Sequence, residues 1–154
     1  MGVPKPRFAS QLGVFLVVLL AGQLEVLFGM SEVRKSSARM VIVANAKEDI
    51  RKLIAEQLRG CGWNVISVDT CGQLYKRMQA WPGAQVILNT EMPDESGFLA
   101  CSKCLKSQPT IQIHLVDDHA DEVNQSLATF VGAANFGTME KVLGDFIGQA
   151  KTRI

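Results

Sequence analysis

Five short apolar runs alternate with five helix-length stretches between Met40 and the carboxyl end, and no other feature limits the possible folds as much. Met40-Val41-Ile42-Val43-Ala44 is continuous and rich in β-branched residues, the pattern of a strand covered on both faces. Lys47 to Arg59 then sets Ile50, Leu53, Ile54 and Leu58 on one helical face, and Gly60 and Gly62 stop it. Asn64 to Val68 reads as a second strand, Gln73 to Trp81 as a second helix ended by Pro82-Gly83, and Ala84 to Leu88 as a third strand. The third helix is predicted over Ser96 to Ser107, with Phe98, Cys101, Cys104 and Leu105 inward. In the fourth strand, Ile111 to Val116, Gln112 and His114 alternate with Ile113 and Leu115, which predicts one less buried face. Helix Asp121 to Val131, strand Ala134 to Phe136 and helix Met139 to Lys151 complete the series. Short connections and right-handed crossovers leave an α/β fold, a parallel sheet with helices on both faces.

That domain is placed at residues 38–152, a length that fills one ordinary core. Residues 1–37 form an extension of different composition, and three readings of it stand side by side. Translation can begin at Met30, where Ser31-Glu32-Val33-Arg34-Lys35 reads as an ordinary polar start. The apolar stretch between Leu12 and Met30 is barely long enough for a membrane anchor and contains Glu25. Lys5 and Arg7 ahead of a short apolar run also suit a cleaved signal, although Leu19-Leu20-Ala21-Gly22-Gln23 lacks a good small-x-small exit. A net charge of +1 and 6% aromatic residues argue against nucleic acid as a partner. Four cysteines in a chain with a full core point to a reducing, cytoplasmic setting, with membrane contact only if residues 12–30 persist as an anchor.

The third unit carries a motif. Asn89-Thr90-Glu91-Met92-Pro93-Asp94-Glu95-Ser96-Gly97-Phe98 resembles the D-x-x-M-P-x-x-x-G-[FL] of bacterial response-regulator receiver domains. The Gly62-Trp63 helix exit and Gly132-Ala133-Ala134-Asn135-Phe136 are similar to the same family, so the resemblance spans nearly the whole globular part. It implies a flavodoxin-like, doubly wound sheet of five strands in the order 2-1-3-4-5, an order given for this class of fold. It also implies a phosphorelay chemistry. Two acidic residues after the first strand and an acceptor aspartate after the third hold Mg²⁺, and the aspartate takes the phosphoryl group. A hydroxyl residue after the fourth strand and a lysine after the fifth then sense it.

Carried over position by position, every one of these residues differs. The acidic pair falls on Asn45 and Ala46, the acceptor on Asn89, the hydroxyl on Asp117 (Val116 if the loop shifts by one) and the lysine on Met139. An asparagine is neutral and poorly nucleophilic, so no Mg²⁺ cofactor is expected, and Asp117 is expected to face and repel an incoming phosphoryl group. The resemblance therefore implies a degenerate, non-catalytic receiver acting through a protein partner. That partner includes a possible second copy, docked through the fourth helix, fifth strand and fifth helix, with Phe136 at the family's aromatic switch position. Two alternatives remain: a phosphorelay regulator with an atypical acceptor site, and a small-ligand binder using Asn45, Asn89 and Asp117 as hydrogen-bonding groups.

Other constellations have plainer readings. Cys101-Ser102-Lys103-Cys104 lies inside a helix on its apolar side, which suits packing better than redox or zinc chemistry. Glu91, Asp94, Asp117, Asp118 and Asp121 crowd the loops as a solvated acidic rim or a rearranged cation site, with His119 among them. Arg51, Lys52, Arg59, Lys76 and Arg77 give the first two helices a basic, solvated face. Val123, Leu127, Phe130 and Val131 are expected to pack largely on the sheet, as are Met139, Val142, Leu143, Phe146 and Ile147.

Overall fold

The computed structural model describes residues 39–152; the three readings of the amino-terminal extension lie outside the described residues. The elements run β1 (Met40–Ala44), α1 (Glu48–Gly60), β2 (Asn64–Val68), α2 (Cys71–Ala80), β3 (Gln85–Asn89), α3 (Gly97–Ser107), β4 (Ile113–Val116), α4 (Glu122–Val131), β5 (Asn135–Gly137) and α5 (Met139–Thr152). All four strand pairings are parallel and the order is β2-β1-β3-β4-β5.

Alternation along the strands divides the core in two. Ile42 and Ala44 of β1, Val86 and Leu88 of β3, and Ile113 and Leu115 of β4 face α2 and α3. Val41, Val43, Ile87 and Val116 face α1 and α5, where Ile54, Leu58, Val142 and Phe146 close over them. Nearly all of these side chains are fully buried, the Val, Leu, Ile and Phe among them each contributing about 1.5–3 kcal/mol of transfer free energy. This two-sided covering explains the unbroken β-branched run of β1.

Four expectations change in detail. The second helix starts at Cys71, two residues early, because Thr70 Oγ1 accepts the Gln73 N–H at 3.1 Å and caps it. The fourth strand begins at Ile113, and His114 is buried, not half-exposed: its ring meets Phe146 edge-on at 5.0 Å and its Nε2 lies 2.8 Å from Gln85 Oε1. Leu53 of α1 points outward. The fourth helix departs furthest. Val123 and Phe130 are 75% and 86% exposed, and only Ala128 of that helix is buried against the sheet. The fifth helix does pack as expected, with Val142, Leu143 and Phe146 buried.

Candidate functional site

The strand order reverses between β1 and β3, and ligand sites of open parallel sheets lie beyond the carboxyl ends of the strands at that switch point. A crevice of about 190 Å³ opens there. Asn45, Asn89 and Met139 line it, as do Lys47, Thr138 and Asp118. Three of the five expected site positions are thus brought together. Ala46 is exposed beside them and is not a lining residue.

Asn45 and Asn89 have their amide oxygens committed to their own loops. Asn45 Oδ1 accepts the Lys47 N–H at 2.9 Å, and Asn89 Oδ1 accepts the Glu91 N–H at 2.8 Å. Arg51 Nη1 donates to the carbonyls of Asn45 and Ala46 at 2.7 and 3.2 Å, fixing the β1–α1 turn from the helix above it. The guanidinium of Arg51 therefore serves the loop rather than a free basic face. Lys52 is paired with Glu48 at 3.1 Å, and Arg59 donates to the Val65 carbonyl at 3.2 Å.

Asp117 does not face the crevice. It is 5% exposed and its carboxylate is turned inward, accepting from Thr90 Oγ1 at 2.9 Å, the His119 N–H at 2.6 Å and Asn124 Nδ2 at 3.2 Å. The expected repulsion of an incoming phosphoryl group by this side chain is corrected accordingly: Asp117 ties the β3–α3 loop to the β4–α4 loop. Thr90 and Asn124 went unnoticed in the sequence, because nothing local marks two residues as partners of a third across 27 and 7 positions. His119 is exposed, and it takes part in this knot through its backbone alone. Phe136 is buried beneath, 6.3 Å from the ring of Phe98.

Asp94 and Asp121 of the acidic rim, and Glu95 beside them, are also engaged. Asp94 bridges to α2, its two oxygens accepting the N–H groups of Cys71 and Gly72 at 2.9 and 3.0 Å, and the Cys71 bond holds its carboxyl below the usual range. Glu95 takes Lys103 Nζ at 2.8 Å and the Tyr75 hydroxyl at 2.5 Å, and the lysine bond lowers its carboxyl in turn. Asp121 caps α4 by accepting the Asn124 N–H at 2.8 Å. Cys71, Asp94 and Glu95 come within 4.8 Å of one another, the one such metal-capable trio among the described residues. Its carboxylates already accept hydrogen bonds, and burial pushes the Cys71 thiol up to about 12. Cys101 and Cys104 are free and buried, their thiols raised to about 11 and about 12 by desolvation, in keeping with a packing role.

No family model and no curated protein matches this sequence. Solved structures do. The chemotaxis response regulator CheY4 of Vibrio cholerae superposes with a TM-score of 0.65 at 16% identity, over 72% of this chain and 97% of that one. The beryllofluoride-activated NtrC4 receiver domain dimer gives 0.66 at 19% identity, over 75% and 98%. A DNA-binding response regulator of the LuxR family from Staphylococcus aureus gives 0.65 at 15%, over 75% and 97%. With the strand order, the helix placement and the switch-point crevice, these matches establish that residues 39–152 have the fold of a response-regulator receiver domain.

Proposed function

We propose that this receiver-fold unit is a degenerate, non-catalytic signalling module that works by protein contact and not by phosphoryl transfer. The observation that carries the reading is the state of the crevice. Asn45, Ala46 and Asn89 stand where a phosphoryl-accepting receiver needs carboxylates, and both amides turn their oxygens onto backbone N–H groups. A receiver's Mg²⁺ is held chiefly by charged carboxylate oxygens and its phosphoryl group is taken by a carboxylate nucleophile; these residues supply neither. The phosphorelay alternative lacks support for the same reason.

The contact face we assign is the outer stripe of α4. Val123, Leu127 and Phe130, spaced i, i+4, i+7, are 75%, 39% and 86% exposed. A second copy of the chain is the partner proposed for it, through the surface of α4, β5 and α5.

Two measurements test this. Acetyl phosphate with Mg²⁺ should leave the intact mass of the protein unchanged; a stoichiometric, Mg²⁺-dependent adduct of one phosphoryl group would overturn the reading. Sedimentation should detect self-association that Phe130→Glu weakens about tenfold or more, the usual size for loss of one large anchor. Equal association of the variant would move the contact elsewhere.

A further inference from the structure

The crevice that lost its carboxylates has gained donors. A backbone N–H must meet an acceptor, so the amide atoms 2.9 Å from Lys47 N and 2.8 Å from Glu91 N are oxygens, and each NH₂ group lies on the opposite edge of its amide. Asn45 is 4% exposed and lines the crevice, yet among the described residues nothing accepts from its Nδ2. Asn89 is half-buried and lines the crevice too, and among the described residues nothing accepts from its Nδ2. Neither nitrogen is among the buried polar atoms left without a partner, so each donor is open to the crevice and not sealed in the core.

Two further features favour an anionic group, and a third favours an apolar one. Lys47 lines the mouth, and among the described residues no carboxylate lies within 4 Å of its amine. Helices α1 and α5 both begin at the crevice, immediately after Lys47 and Thr138, so two positive helix ends converge on it. Ile50, Val116 and Met139 supply an apolar wall. The 190 Å³ volume takes on the order of six water-sized groups of about 30 Å³. Asp118 and Glu140 also line the crevice, and their charges disfavour ligands of high negative charge.

From this we infer that the crevice binds a small monocarboxylate with a short aliphatic tail, its oxygens accepting from Asn45 Nδ2 and Asn89 Nδ2 and its tail lying against Ile50, Val116 and Met139. The carboxylate can belong to a free acid or to an aliphatic amino acid, whose ammonium would reach Asp118 and Glu140. This goes beyond the protein-contact reading and does not depend on it, because the acetyl phosphate and sedimentation tests probe neither amide.

The test is calorimetric titration of the full chain with isovalerate, leucine, inorganic phosphate and MgCl₂. Saturable binding of isovalerate, leucine or both is expected, with the stronger of the two identifying the source, and none of phosphate or Mg²⁺. Asn89→Asp and, separately, Lys47→Glu should weaken binding about tenfold or more, the scale of one lost charged hydrogen bond. Both positions are less buried than Asn45, so these variants keep the test alive if Asn45→Asp does not fold. Absence of saturable binding by either acid overturns the inference, as does binding that both variants leave unchanged.

Discussion

A Cβ on Gly97 would lie 2.3 Å from the carbonyl oxygen of Asn89 and 2.7 Å from Thr90 Cα, both backbone atoms that cannot step aside. The glycine lets the start of α3 close onto the end of β3, where its N–H donates to the Thr90 carbonyl at 2.8 Å. Gly97→Ala should therefore cost about 1–3 kcal/mol in urea unfolding. Gly144→Ala, at a helical site with nothing within 4 Å of the new methyl, should be neutral or stabilise by up to about 1 kcal/mol. Asn89→Asp alone should not create an Mg²⁺ site, since Asn45 and Ala46 still supply no charge beside it; a thermal shift with Mg²⁺ in that variant would contradict this. Gly97 was legible in the sequence through the family motif it belongs to, and the close backbone approach that requires it is visible only in the fold. The role of Asp117 was not, because its burial depends on Thr90 and Asn124 arriving from separate elements.

At the scale of elements, the β3–α3 loop is held against α2 by two carboxylates, Glu95 on the Tyr75 hydroxyl and Asp94 on the start of the helix. Asp94 accepts two of the N–H groups that the first turn of α2 leaves without helical partners. Asp94→Ala should lower stability by about 0.5–2 kcal/mol, and Asp94→Asn by less, because one amide oxygen can still accept one of the two bonds. The carboxyl is held below its ordinary range by Cys71 N–H, so its stabilisation is present above the unfolded carboxyl pKa and fades as pH falls through the lowered value. The acid limb of a stability–pH curve should flatten in Asp94→Ala. Element existence and order were readable because each run has a clear period. Orientation was another matter for α4: a stripe of Val123, Leu127 and Phe130 fixes an apolar face but does not say whether that face turns to the sheet. Ala128, small and on the other side of the helix, is what the sheet accommodates.

For the molecule as a whole, the sheet's two-sided burial sets a pH dependence centred on His114. The alternation of β4 suggested a wetter face, but α5 covers it, and Phe146 lies between the rings of His114 and Trp63, at 5.0 and 4.6 Å. His114 is 2% exposed, its Nδ1 has no partner, and burial lowers its pKa to about 4 despite the opposing influence of Asp145. Protonation would place a charge where Nδ1–H meets no acceptor among the described residues, so the native ring stays neutral where the unfolded one is charged. Below pH 6.5 the unfolded chain binds the extra proton first. Stability should therefore fall as pH drops from 6.5 towards 4, by about 3 kcal/mol in total, and change no further from this group below that range. His114→Leu keeps the packing with Phe146 and removes the titration. Urea midpoints at pH 7.5 and 4.5 should separate widely in the wild-type protein and converge in the variant; an equal separation in both would show that the dependence arises elsewhere.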